Sequence, residues 1–123
     1  MSLVEPAGAD EDLLLRVGAG DERAFRELFA RYAGVAHALA FRLVRQAQVS
    51  EEIVQEAFLA VWRSPERYDR NRGSVRAWLL GTVHHRAVDA VRREQAQRRR
   101  VDQAAAMGHG VAEDLTDEIL SAI

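Results

Sequence analysis

The chain contains no cysteine, no lysine and only two prolines among its 123 residues. Without cysteine it can form no disulfide framework, no thiol nucleophile and no thiolate metal site. No apolar run approaches the roughly 20 residues that a membrane-spanning helix needs. The acidic start, residues 1–12, lacks the basic and apolar segments of a secretory signal. We therefore expect a cytoplasmic protein that does not insert into a membrane.

Few prolines and few alternating β-branched residues favour an all-α fold, and 48% apolar residues suffice for a core. Apolar residues at spacings of three and four predict a short helix over residues 10–17 and a long helix over about 21–45. Two further main helices are predicted to begin at Ser50 and Ser74, with Asp21, Ser50 and Ser74 as N-terminal caps. The last helical pattern ends around residues 98–100. We expect a compact bundle of three main helices and a short N-terminal helix.

The predicted organisation is a flexible N-terminus over residues 1–9, a folded domain over residues 10–100 and an acidic linker over residues 101–123. Residues 63–100 carry eleven Arg against four Asp and Glu, a net charge of +7. Residues 1–62 carry six Arg against ten acidic residues, a net charge of −4, and residues 101–123 carry five acidic residues and no Arg. A basic block between two acidic ones indicates one site for a polyanion.

The basic block also carries two aromatic residues, Tyr68 in a polar loop and Trp78 in the first turns of the last helix. Arginines interleaved with aromatic rings are typical of sites for single-stranded nucleic acid, where bases stack on the rings and guanidinium groups hold phosphates. The alternatives are that Tyr68 covers an edge of the core, that Trp78 packs inward and that the arginines form a solvated helix face.

The helix predicted to begin at Ser50 has a polar face opposite its apolar one. Acidic and amide side chains make up this face, namely Glu51, Glu52, Gln55 and Glu56. By itself the pattern is typical of a solvated helix surface. Whether this face binds another protein is judged below from the segments around it.

Four segments, in this order, resemble the first conserved domain of the extracytoplasmic-function sigma factors, a domain that is called domain 2. These proteins are small bacterial transcription initiation factors. The four segments are residues 21–25 with Leu28, Phe29 and Tyr32; residues 50–62; Tyr68 followed by residues 73–79; and residues 87–89 followed by Arg92 and Arg93. The resemblance covers roughly residues 10–100. Members of this family usually continue into a helix-turn-helix domain, so we expect this chain to be part of a longer protein.

The resemblance implies that residues 50–62 dock on the clamp coiled coil of the RNA polymerase β′ subunit. The predicted polymerase-binding residues are the four polar ones, Glu51, Glu52, Gln55 and Glu56, with Val54 or Leu59 as a small apolar centre. The helical periodicity also places Val54 on the buried face of this helix. Acidic and amide groups suit a basic partner surface. The family also implies an anti-sigma factor, often membrane-bound, that covers the polymerase-binding surface.

The resemblance further implies recognition and melting of the minus-ten promoter element through capture of single-stranded, non-template bases. The residues predicted to bind DNA lie in the loop and the last helix, namely Tyr68, Arg72, Ser74, Arg76, Trp78, His84, His85, Arg86, Asp89, Arg92 and Arg93. His84 and His85 stand where the family commonly has Arg and Asn. These positions face promoter DNA in the family, so the base preference of this chain is left open.

No catalytic or metal-binding constellation stands out in the sequence. His85 and Asp89 are four residues apart on one helix, but two ligands on one turn do not make a metal site. We expect no metal, no cofactor and no enzymatic activity. The main alternative function is a helical protein-interaction module that binds an anti-sigma factor or another regulator without reading DNA. A complete helix-turn-helix regulator is disfavoured because a short second helix, a tight turn and a recognition helix are missing.

Overall fold

The computed structural model describes residues 6–107, and this part of the chain is almost entirely helical. Its four α-helices are α1 (Pro6–Gly18), α2 (Glu22–Val44), α3 (Ala47–Arg63) and α4 (Val75–Met107). Two 3₁₀ turns, Pro65–Arg67 and Arg70–Arg72, lie between α3 and α4. The predicted all-α class is therefore confirmed. Over this range, no helix has both the length and the apolar character that crossing a membrane would require.

The chain divides into two compact units, residues 1–89 and residues 90–123. The first unit holds α1, α2, α3, both 3₁₀ turns and α4 up to Asp89. The described part of the second unit is the C-terminal portion of α4, residues 90–107.

The core of the first unit lies where α2 packs against α1 on one side and α3 on the other. Its buried side chains recur every three or four residues, as amphipathic helices require. The core residues of α1 and α2 are Leu13, Leu14, Val17, Ala24, Leu28, Tyr32, Ala36, Ala40 and Val44. Those of α3 and α4 are Ile53, Val54, Ala57, Phe58, Val61, Val75, Leu79, Val83 and Ala87.

Aromatic rings join α2 to the C-terminal half of α3. The Phe25 ring meets Trp62 edge-on, with centroids 5.3 Å apart, and Phe29 meets Phe58 in the same way at 4.8 Å. Edge-to-face contacts of this kind add to the free energy of simple area burial. Trp62 is half-buried in this cluster.

Two of the three predicted helix caps are confirmed. The Asp21 carboxylate accepts hydrogen bonds from the backbone N–H groups of Arg23 and Ala24, at 2.9 and 3.3 Å, and so caps α2. The Ser74 hydroxyl accepts from the N–H of Ala77 at 3.0 Å at the start of α4. Each cap satisfies N–H groups that the first helical turn leaves without a partner.

Ser50 is not a cap, contrary to the prediction. Helix α3 begins at Ala47 after the N-cap Gln46, and Ser50 is buried inside its first turn, donating to the Ala47 carbonyl at 2.8 Å. The reason is the backbone of Arg45, which adopts the left-handed conformation (φ 59°) at the end of α2. One left-handed residue reverses the chain at once, so the break between the helices is shorter than the polar sequence indicated.

Helix α4 extends past its predicted end at residues 98–100 and reaches Met107, the last described residue. Residues 101–107 of the predicted linker are therefore helical. No proline or glycine interrupts this stretch, Ala and Gln are good helix formers, and Arg98 pairs with Glu94 one turn earlier at 3.2 Å. The rest of the predicted linker, residues 108–123, lies outside the described residues. The predicted flexible N-terminus is outside them over residues 1–5, whereas residues 6–9 begin α1.

A buried carboxylate joins α1 to α2. Asp10 is 4% exposed, and its two oxygens accept hydrogen bonds from the Arg31 guanidinium, at 2.7 Å, and from the Tyr32 hydroxyl. Burial, with the hydrogen bond to Asp10, raises the pKa of Tyr32 to about 12. A charge removed from water is tolerated only when it is paired in this way.

We expect Asp10→Ala to lower the free energy of unfolding by about 2 kcal/mol, because it leaves the buried Tyr32 hydroxyl without its acceptor. Arg31 loses one of its two partners and keeps Glu27 at 3.2 Å. Asp12→Ala is the matched control, since the Asp12 side chain is exposed and its ion pair with Arg16 spans 3.6 Å. It should change stability by less than about 0.5 kcal/mol. Urea unfolding followed by circular dichroism measures the free energy of unfolding of both variants. Equal decreases for the two variants would show that the buried network stabilises the fold no more than an exposed ion pair does.

Asp21 predicts a pH dependence of stability. The backbone N–H of Ala24 holds the pKa of Asp21 below its ordinary value of 3.8, and the Arg16 guanidinium adds to this effect. The stabilisation is therefore complete above pH 3.8 and is lost as the pH falls through the lower folded-state pKa. Asp21→Ala should melt at a lower temperature than the parent at neutral pH, and the gap should narrow in strong acid. Asp21→Asn, which keeps a cap without the charge, should show a smaller change with pH.

Candidate polymerase and nucleic-acid interfaces

The polar face predicted on α3 is exposed. Four of its side chains, Glu51, Glu52, Gln55 and Glu56, point away from the core, and Leu59 beside them is 44% exposed. These five residues are called the docking face below. They lie at helical spacing on the side opposite the buried residues of α3.

Val54 does not belong to the docking face, contrary to the sequence prediction. It is fully buried and lies on the core side of α3, one turn from Ala57 and Phe58. On a helix, residues three and four apart share a side, and both of these neighbours are in the core. The apolar contribution of the docking face is therefore Leu59.

Glu56 of the docking face pairs with Arg86 of α4. The Arg86 guanidinium donates to the Glu56 carboxylate at 3.4 Å, and both side chains remain partly exposed. Sequence reasoning assigned Glu56 to a protein partner and Arg86 to a phosphate, and it missed their contact because 30 residues separate them. The pair is a weak surface ion pair, so an external partner can compete for either side chain.

The loop between α3 and α4 is organised around Tyr68, which lies between the two 3₁₀ turns. Its hydroxyl lies 3.0 Å from a Glu11 carboxylate oxygen and 2.9 Å from the Gly73 carbonyl oxygen, and it donates to these two acceptors. Desolvation raises the pKa of Tyr68, and the hydrogen bond to Glu11 raises it further. Glu11 was not identified from the sequence, because 57 residues separate it from Tyr68 and no local pattern links them.

The backbone of the same loop is held by short-range hydrogen bonds. The Asp69 carboxylate accepts from the Asn71 N–H at 2.9 Å and starts the second 3₁₀ turn. Gly73 then has φ 143°, a conformation that residues with a side chain rarely adopt, and Ser74 begins α4. The predicted DNA-binding hydroxyl of Ser74 is engaged as the helix cap described above.

Trp78 lies beside Tyr68. The two ring centroids are 5.6 Å apart with the planes tilted by 52°, and both side chains are half-buried. Arg72 and Arg76, on the two sides of Ser74, are exposed. The structure thus brings together four of the predicted DNA-binding residues around the start of α4: two aromatic rings and two guanidinium groups.

The remaining predicted DNA-binding residues lie further along α4. His84 and His85 are exposed, and Asp89 is half-buried at the end of the first unit. Arg92 and Arg93 belong to the second unit and are exposed. Within the described range, no cluster of three or more His, Asp and Glu side chains could hold a metal ion.

An open groove of about 540 Å³ lies next to Tyr68 in the first unit. Helix α1, the end of α3 and the first 3₁₀ turn form it. Its apolar lining comprises Leu14, Leu15, Val17, Trp62, Pro65 and Tyr68, and its charged lining comprises Glu11, Arg63, Glu66 and Arg70. The charged lining thus consists of two acidic and two basic residues.

Comparison with known proteins identifies the class of this helical domain. The family described as sigma-70 region 2 matches residues 28–97, which include α3, the Tyr68 loop and most of α4. The chain therefore belongs to the sigma-70 family through its region 2.

Three similar proteins are all named as ECF RNA polymerase sigma factors. The ECF RNA polymerase sigma factor SigK of Mycobacterium ulcerans is 38% identical over 113 residues, which cover 89% of this chain and 60% of that protein. SigK of Mycobacterium bovis is 39% identical over 112 residues, with 90% and 60% covered. SigK of a Mycobacterium species (strain KMS) is 44% identical over 92 residues, with 74% and 48% covered. The chain thus spans about 60% of the length of the first two relatives.

Proposed function

We propose that this chain is the part of a bacterial transcription initiation factor that binds RNA polymerase core and opens the minus-ten promoter element. The observation that carries the proposal is membership of the sigma-70 region 2 family over residues 28–97. Two features of the described residues support it: the exposed docking face on α3 and the aromatic and arginine cluster at the start of α4.

Polymerase binding is assigned to the docking face. Its acidic and amide side chains complement a basic surface, here the clamp coiled coil of the β′ subunit, and Leu59 supplies an apolar centre. Its three charged side chains, Glu51, Glu52 and Glu56, are exposed and so are accessible to a partner. A membrane-bound anti-sigma factor that covers this face would compete with polymerase for the same residues.

Promoter opening is assigned to the Tyr68 loop and α4. Extruding a base from the duplex costs a few kcal/mol, and stacking it on an aromatic ring returns about 1–3 kcal/mol. Tyr68 and Trp78 offer such rings, and Arg72 and Arg76 beside them can hold the phosphates of the displaced strand. No bond is made or broken, so the site needs a shaped surface and not a catalyst.

In this proposal, the charge distribution links polymerase binding to DNA binding. Phosphate contacts from the arginine-rich block supply an affinity that depends on salt. The acidic docking face repels DNA until a polymerase surface neutralises it. Binding of polymerase therefore favours the DNA contacts of the same domain.

We expect Glu56→Arg to weaken binding to RNA polymerase core about 100-fold, because it places like charges at a docked interface. The substitution also breaks the pair with Arg86, so Arg86→Gln is the matched control: it removes the same pair and leaves the docking face acidic. Co-elution with core polymerase in gel filtration measures both variants, and circular dichroism checks their folding. Co-elution of Glu56→Arg at the parent level would remove the docking assignment.

Tyr68→Ala and Arg92→Ala should weaken promoter binding in different ways. Loss of the Tyr68 ring should reduce opening at one promoter position with little dependence on salt. Loss of Arg92 should weaken all sequences equally and lower the slope of log affinity against log salt by about one. Permanganate footprinting of the polymerase complex, on promoter variants at two salt concentrations, measures both effects.

Two outcomes of that footprinting would redirect the assignment. If Tyr68→Ala opens the promoter as well as the parent does, the loop has a structural role and base capture belongs to the face of Trp78 and His85. If polymerase binds but none of the variants changes DNA opening, the chain acts as a protein-interaction module.

A further inference from the structure

The hydroxyl of Tyr68 is held from two directions. The Glu11 carboxylate on α1 lies 3.0 Å from it, and the Gly73 carbonyl at the entry to α4 lies 2.9 Å from it. A phenol has one proton to donate, so the two acceptors share it and keep the oxygen between them. The tyrosine oxygen lies on the axis about which the ring turns, so anchoring it fixes the direction in which the ring extends. The Trp78 ring, with its centroid 5.6 Å from that of Tyr68, restricts the rotation of the ring about that axis.

Glu11 is itself held in place by the residues around it. Its neighbour Asp10 is the buried carboxylate bound by Arg31 and Tyr32 of α2. Leu13 and Leu14, which follow it, are 4% and 5% exposed. Two consecutive carboxylates thus tie α1 to two different elements, Asp10 to α2 and Glu11 to the loop.

We propose that Glu11 is a positioning residue for base capture, an inference that rests on the proposed function. Glu11 does not touch the DNA; it holds the Tyr68 ring in the orientation that receives the extruded base. Because the hydroxyl proton is used within the protein, Tyr68 presents its ring face as a stacking surface. Helix α1 lies outside residues 28–97, the range that the family comparison matches, and the proposal makes it part of the base-reading apparatus.

The test compares variants that remove the anchor with variants that remove the ring. Each variant, in complex with RNA polymerase core, selects from a pool of random single-stranded oligonucleotides, and sequencing of the bound fraction gives the base preference at every position. Fluorescence anisotropy on one enriched oligonucleotide gives the affinity. The anchor variants are Glu11→Ala and Tyr68→Phe, the ring variant is Tyr68→Ala, and the matched control is Glu66→Ala, another acidic residue that lines the same groove.

Tyr68→Phe, which removes both hydrogen bonds of the hydroxyl, should lower affinity about fivefold. Glu11→Ala should lower it about threefold, because the Gly73 carbonyl remains as an acceptor. Both should flatten the base preference at the single position that Tyr68→Ala flattens. The double variant should be no weaker than Tyr68→Phe alone, because Tyr68→Phe already removes the contact with Glu11 together with the one to Gly73. Glu11→Gln should recover most of the preference, since its amide oxygen also accepts a hydrogen bond, and Glu66→Ala should behave as the parent.

The outcomes separate this inference from the proposed function. If Tyr68→Ala leaves affinity and preference unchanged, base capture by Tyr68 is wrong and the positioning role falls with it. If Tyr68→Ala acts but Glu11→Ala and Tyr68→Phe match the parent, the positioning role alone is overturned. It is also overturned if Glu11→Ala reduces polymerase binding and the preference at all positions together, since that result marks a general loss of structure.

Discussion

The buried carboxylate of Asp10 is the interaction on which the arrangement of the first unit depends. It accepts from Arg31 and Tyr32, and so fixes α1 against the middle of α2. A helix of 13 residues has too few turns to be stable in water by itself, so α1 owes its position to this contact and to its buried leucines. When α1 is held in this position, Glu11, which follows Asp10, accepts a hydrogen bond from Tyr68 in the loop. One of the hydrogen bonds that hold the Tyr68 loop therefore depends on the position of α1, 57 residues earlier in the chain.

The loop shows how a polar segment becomes a defined surface. Eleven residues, 64–74, separate α3 from α4, and hydrogen bonds order this segment. The Asp69 carboxylate accepts from a backbone N–H, the Tyr68 hydroxyl donates to Gly73, and Ser74 caps α4. Little conformational entropy is left to lose when a ligand binds. A surface ordered before binding suits the capture of a base, since the cost of extrusion leaves a small margin.

Opposite charges are placed on adjoining helices of the first unit. Helix α3 exposes carboxylates and the first part of α4 exposes guanidinium groups, and the Glu56–Arg86 pair is where they meet. An exposed pair at 3.4 Å is worth little. Its position matters more than its strength, because a basic partner that binds Glu56 leaves Arg86 available to a phosphate. In the proposed function, this ion pair therefore links polymerase binding to DNA binding.

The sequence alone determined the all-α class, the Asp21 and Ser74 caps, the exposed face of α3 and the resemblance to a sigma factor domain, because periodicity, capping and ordered motifs are local signals. It misplaced the start of α3, since the left-handed conformation of Arg45 is decided by packing. Its periodicity placed Val54 on the buried face of α3, as the structure has it, whereas the polymerase-binding residues inferred beside the resemblance included Val54. It ended α4 too early, because charged residues interrupt the apolar pattern there, although Ala and Gln are good helix formers. The contacts of Glu11 with Tyr68, of Glu56 with Arg86 and of Asp10 with α2 came only from the tertiary structure, because each joins residues that are more than 20 positions apart and that no local pattern relates.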